Sequence, residues 1–138
     1  MKKLLFLLLL IALLSYPKLG KALSFDGSND FVVIPKTISV KGLSAATISA
    51  WYKARANPSN NASIYYESIN SDGSARFAIH HMSNGDLQTQ IRDNTGTSFA
   101  ATKTAGASSN LNKWIYVAAT VDAATDKLLL YMNGVQVA

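Results

Sequence analysis

The sequence predicts an all-β protein, an antiparallel sandwich or barrel, and three observations carry that prediction. Beyond residue 22 no stretch keeps an apolar repeat at helical spacing. Short runs rich in β-branched and aromatic residues recur instead, about nine of them at roughly ten-residue intervals, the pattern of an all-β domain. Turn-forming pairs stand between the runs, at Asp72-Gly73, Asn84-Gly85 and Asn133-Gly134.

The first 22 residues belong to a different category. Lys2 and Lys3 precede an unbroken apolar run from Leu4 to Leu14, which Ser15, Tyr16 and Pro17 end. Its eleven residues fall short of the roughly 20 that a membrane-spanning helix needs. Gly20 and Ala22 supply small residues at the −3 and −1 positions of a cleavage site. Residues 1–22 therefore read as a secretory signal peptide and residues 23–138 as one domain, placed outside the cell membrane, secreted or held at the cell surface. Export also explains the charge. Of 13 basic residues, Lys2, Lys3, Lys18 and Lys21 leave with the signal, so the remainder has 9 against 8 acidic ones. Such a near-neutral chain gives no reason to expect nucleic acid, or a membrane after cleavage, as a partner. The chain has no cysteine, which excludes disulfides, thiol catalysis and Cys-ligated zinc.

The elements follow in order. Leu23–Asp26 and Phe31–Ile34 read as strands around Gly27-Ser28-Asn29, and Thr47–Lys53 alternates as a strand. Residues 57–61 form a polar loop. Ser63–Ile69, Ala75–His81 and Asp86–Arg92 are the next strands, Thr97–Thr104 a weaker one, and Ala105–Asn112 a loop of small residues. Trp114–Val121 and Lys127–Met132 are strong strands, with Val135–Ala138 returning after Asn133-Gly134. A two-residue hairpin loop pairs Met132 with Val135 and Tyr131 with Gln136. Alternation then puts Leu128, Leu130, Met132, Val135 and Val137 on a core face, and Leu129, Tyr131 and Gln136 on the other. Trp51 and Trp114 are expected in the core. The last hairpin leaves an edge without a partner, which suggests closing strands supplied from further sequence.

Three segments together resemble the laminin-G-like jelly-roll domains of the concanavalin A-like lectin/glucanase superfamily. Leu23 to Val32, LSFDGSNDFV, with Pro35 following, is similar to the opening L-x-F-D-G-x-x-D-Y-V of those domains. Thr47-Ile48-Ser49-Ala50-Trp51 is similar to F-T-I-S-A-W, with Ala46 in the aromatic position. Trp114, Val117, Ala118, Thr120 and Asp122, then Leu128, Leu130, Tyr131, Asn133 and Gly134, match W-H-H-V-A-x-T-Y-D and L-Y-V-N-G, with Tyr116 where His is usual. The resemblance implies a jelly roll that lacks its C-terminal closing strands, and calcium is frequent in such folds.

The chemistry that the residues allow is binding. Asp26, Asn29 and Asp30 could supply part of a calcium shell, although calcium takes about six to eight oxygens and the same residues suit a turn. Glu67 is the only glutamate, and Asp72, Asp86, Asp93, Asp122 and Asp126 lie mostly in turns, so the paired carboxylates of a glycosidase are not evident. His80 and His81 are neighbours on a strand and point to opposite faces, which prevents joint chelation. Tyr52, Tyr65, Tyr66, Tyr116 and Tyr131 could stack on sugar rings, and Arg76 and Arg92 could donate to hydroxyls or carboxylates. Tyr52, Tyr65, Tyr66, Arg76 and Arg92 form the candidate ligand set. Asn61-Ala62-Ser63 is a glycosylation sequon that matters only in a eukaryotic source. The function expected is a non-catalytic module that binds carbohydrate or a glycosylated or protein surface. The alternatives are an adhesion or structural domain of a larger extracellular protein and, further off, a glycoside hydrolase fragment.

Overall fold

A computed structural model of the chain describes residues 20–35, 39–68, 75–93 and 95–138. The signal segment up to residue 19 and Asp72-Gly73 lie outside the described residues. The chain divides into two units, Met1–Val32 and Val33–Ala138.

Among residues 20–35 no strand forms, contrary to the sequence expectation for Leu23–Asp26 and Phe31–Ile34. A strand exists only where its backbone finds a ladder partner, and β-propensity alone does not supply one. What forms is a turn. The Asp26 carboxylate accepts the Ser28 N–H at 2.8 Å, and the Asp30 carboxylate accepts the Asp26 N–H at 2.9 Å. Gly27 holds φ of 87°, which suits a residue without Cβ.

Among its described residues the second unit holds eight strands: β1 Ala45–Tyr52, β2 Ala62–Ser68, β3 Ala75–His81, β4 Leu87–Arg92, β5 Ser98–Lys103, β6 Ile115–Asp122, β7 Lys127–Met132 and β8 Val135–Gln136. They form two antiparallel four-stranded sheets, ordered β1-β6-β7-β8 and β2-β3-β4-β5. The second sheet is a simple meander. The first is closed by a long-range pairing, Ala45 opposite Asp122 through Tyr52 opposite Ile115, so the whole second sheet is inserted between β1 and its partner.

The core lies between the sheets, as in an antiparallel sandwich. Phe77, Ile79 and Leu87 from one sheet meet Ile115, Val117, Ala119 and Leu130 from the other. Each large apolar side chain so buried contributes about 1.5–3 kcal/mol. Alternation explains the selection. Ala46, Ile48, Ala50 and Tyr52 of β1 face the core, and Thr47, Ser49 and Trp51 between them are exposed. Thr89 is the one fully buried hydroxyl among the described residues, and it donates to the Ala78 carbonyl at 3.0 Å.

The Asn133-Gly134 hairpin has the expected register, with Met132 opposite Val135 and Tyr131 opposite Gln136. Both turn residues take positive φ, 49° and 82°, as a type I′ turn requires. Leu128, Leu130, Met132 and Val137 face the core as expected. Val135 does not, being 64% exposed, because the two-residue β8 continues too briefly past the turn to be covered. Both tryptophans also depart from expectation: Trp51 is 64% exposed and Trp114 51% exposed. Trp51 belongs by alternation to the Thr47–Ser49 face, and the bulk of an indole does not override that parity.

Candidate functional site

The outward face of the β2-β3-β4-β5 sheet is built from two complete cross-strand rows. Tyr66, Ala78, Gln90 and Ala100 stand opposite one another in the first, and Ser63, His80, Gln88 and Thr102 in the second. Opposed residues in an antiparallel ladder share a face. The strands alternate long and short side chains along the first row, and Ala78 is wholly covered between Tyr66 and Gln90. A third row begins with Arg92 opposite Ser98. The register of Phe77 opposite Ile91 sets Arg76 one step further on, opposite Arg92.

Hydrogen bonds fix this face. The Gln88 amide donates to the Thr102 hydroxyl at 3.0 Å, and the Gln90 amide donates to the Ser98 hydroxyl. His80 Nδ1 and the Ser63 hydroxyl lie 3.1 Å apart, and the Tyr66 ring is 6.2 Å from the imidazole. Burial lowers the pKa of His80 below that of a free imidazole. Tyr66 is 41% exposed and offers ring surface beside a hydroxyl. Arg92 donates through Nη1 to the Gly96 carbonyl at 2.9 Å, while its Nε is buried without a hydrogen-bond partner among the described residues. The face thus presents amides, hydroxyls, an imidazole, an aromatic ring and two guanidinium groups. That set can hydrogen-bond a hydroxylated ligand and pack against one apolar ring face.

Of the five candidate ligand residues, Tyr66, Arg76 and Arg92 meet here. Tyr52 does not. It turns into the core side, and its hydroxyl bonds His81 Nδ1. Burial pushes its pKa up to about 12. The other His81 nitrogen, Nε2, lies 3.0 Å from Asn57 Oδ1. A carbonyl oxygen can only accept, so Nε2 carries the proton and Nδ1 accepts from Tyr52. This chain ties the 53–61 loop to β3, and His81 is only 3% exposed. Tyr65 also faces inward, opposite Ile79, with its ring against Phe77 at 6.3 Å. The expected split of His80 and His81 to opposite faces holds, with His80 outward and His81 inward.

Glu67 is fully engaged. Its carboxylate accepts from the Ser39 hydroxyl, from the Val40 N–H at 3.0 Å and from the Tyr65 hydroxyl at 3.2 Å. It clamps residues 39–41 to β2. Asp86, Asp93 and Asp122 serve turns. Asp86 accepts from the Ala105 N–H, and Asp93 accepts from Thr95 and Thr97. Hydrogen bonds, from the Thr95 side chain foremost, hold Asp93 below the usual carboxylate range. A shallow, open depression of about 550 Å³ on the other sheet, lined by Thr47, Thr120, Asp122, Thr125 and Lys127 among others, contains a single carboxylate. That carboxylate already accepts from the Ala124 N–H.

In the first unit, Asp26 and Asp30 each give one carboxylate oxygen to a turn amide. Among the described residues no three His, Cys, Asp or Glu side chains gather closely enough to hold a metal. With Asn29 the set supplies three side chains toward the six to eight oxygens that calcium takes. The same side chains build the turn described above. The sequon residue Asn61 accepts the Ser83 N–H at 2.9 Å. No helix among the described residues is long and apolar enough to cross a membrane.

The sequence reading missed His80, Gln88 and Gln90 as parts of one surface. Their common parity on β3 and β4 was readable, but which strands are neighbours was not. A family model described as the concanavalin A-like lectin/glucanases superfamily matches residues 26–138. No curated protein and no solved structure matches the chain.

Proposed function

The chain belongs to the concanavalin A-like lectin/glucanase superfamily, and from that premise we propose that it is an exported, non-catalytic module that binds carbohydrate through the outward face of β2-β3-β4-β5. One scaffold hosts many functions, so the proposal rests on the site. The observation that carries it is the convergence of Tyr66, His80, Gln88, Gln90 and Arg92 on one face. Carbohydrates present hydroxyls in several directions and one apolar ring face. The amide ladder and the tyrosine answer both features. The N-terminal export pattern supports a location where free glycans and glycoconjugates are met.

The non-catalytic reading is supported by Glu67. A glycosidase acid must face the scissile bond with a second carboxylate about 5–9.5 Å away. Glu67 instead spends both oxygens on structural donors. Calcium is a separate proposal, in which Asp26, Asn29 and Asp30 would contribute ligands and other oxygens would complete the shell.

A glycan array probed with the chain, with and without EDTA, tests the proposal. Binding that weakens at least tenfold in Gln90→Ala is expected. Equal binding by Gln90→Ala and wild type would remove this face from recognition. No glycan bound at all would favour an adhesion or structural role. Release of reducing sugar from a polysaccharide, abolished in Glu67→Gln, would make the chain a hydrolase.

A further inference from the structure

We infer that the opposite sheet carries a second binding surface, an aromatic platform for a neutral saccharide on the outward face of β1-β6-β7. The inference rests on the carbohydrate-binding role proposed above, but its residues are different and lie on the other sheet. Trp51 and Tyr116 are directly opposed across β1 and β6. Their rings lie 5.5 Å apart, tilted by 50°. An indole left so exposed beside a second aromatic ring is unlike a scattered surface apolar residue. Tyr116 is half-buried, and Trp114, two residues before it, adds a second exposed indole.

The platform is held rigidly. Tyr116 N–H donates to Asn133 Oδ1 at 2.9 Å, and Asn133 N–H donates to the Tyr116 carbonyl at 2.8 Å. The turn that ends β7 thereby locks the backbone under the tyrosine ring. The next rows on this face bring hydroxyls, an amide and a phenol: Ser49 opposite Ala118, Ala118 opposite Tyr131, Tyr131 opposite Gln136, and Thr47 opposite Thr120.

Charge decides the class of occupant. Along the rows from Trp51 to Thr47 there is no ionised side chain. Charge stands only at the ends, where Asp122 faces Lys127 at one and Lys53 follows Tyr52 at the other. An acidic glycan or a charged protein surface would find no counter-charge over the middle of this face. A neutral pyranose matches it, with ring C–H groups on the indole and phenol and hydroxyls toward Ser49, Thr47 and Gln136. Aromatic side chains suit this use because two torsions fix a large contact area.

Native electrophoresis of the chain through gels containing laminarin, xylan or dextran tests the inference. Wild type is expected to be retarded by at least one of them, with the apparent affinity falling at least fivefold in Trp51→Ala and mostly retained in Trp51→Phe. Urea midpoints of both variants should stay close to wild type, because Trp51 is exposed. Retardation that Trp51→Ala leaves unchanged and Gln90→Ala abolishes would overturn the platform and leave the first face standing. Retardation lost in Trp51→Ala and unchanged in Gln90→Ala would support the platform and count against the first face. No retardation of wild type by any of the three would overturn the platform.

Discussion

At the scale of single residues, histidine parity does two different jobs on one strand. His80 joins the exposed polar face, while His81 is sealed between the Tyr52 hydroxyl and the Asn57 amide oxygen. Burial lowers both pKa values below that of a free imidazole. An unfolded chain therefore binds protons at these sites more readily than the folded one does. Their contribution to stability is complete above the unfolded value of about 6.5 and is lost as pH falls below it toward the folded values. Asp93 and Asp122 have depressed values and act in a lower window, losing their contribution only as pH drops below the ordinary carboxylate range of about 4. Urea midpoints should fall between pH 7 and pH 5, and the double variant His80→Gln/His81→Gln should show a flatter slope there. An unchanged slope would mean that neither ring is held neutral by burial.

At the scale of elements, the β7–β8 hairpin is the most demanding test because two residues of one parity differ in burial. Leu130 is fully buried in the core, and Val135, just past the turn, is exposed. Leu130→Ala should cost about 2–5 kcal/mol of stability through lost burial and a residual cavity. Val135→Ala should change it by less than about 0.5 kcal/mol. Chemical denaturation reads both, and similar costs would contradict the burial of Leu130 and the exposure of Val135. Much of this level was legible beforehand. The bounds of β3 and β7 agree with the sequence reading residue for residue, because strict alternation between turn residues leaves little freedom. Two things were not legible. The pairing of β1 with β6 joins residues separated by an entire sheet, and no local pattern encodes a partner so distant. The core expectation for the tryptophans fails at Trp51 because the parity it shares with Thr47 and Ser49 puts the indole outside. The candidate site was legible only in part for the same reason. Tyr66, Arg76 and Arg92 share a face, while Tyr52 and Tyr65 fall on the inner side once the register is known.

At the scale of the molecule, the Asp26–Asp30 turn and the sheet face make separable claims. Calcium held by Asp26, Asn29 and Asp30 would have to stabilise the folded chain by linkage. Thermal melts in about 1 mM calcium, the upper affinity range of extracellular modules, and in EDTA should coincide if these side chains serve the turn alone. A rise of several degrees in calcium, lost in Asp30→Asn, would instead make them ligands. The account as a whole depends on recognition by the β2-β3-β4-β5 face, and backbone amide chemical-shift mapping during titration with an array-identified glycan tests that most directly. The amides around Tyr66, Ala78, His80, Gln88 and Gln90 should shift together and saturate with one affinity. A bound glycan that leaves those five positions unmoved would contradict the account.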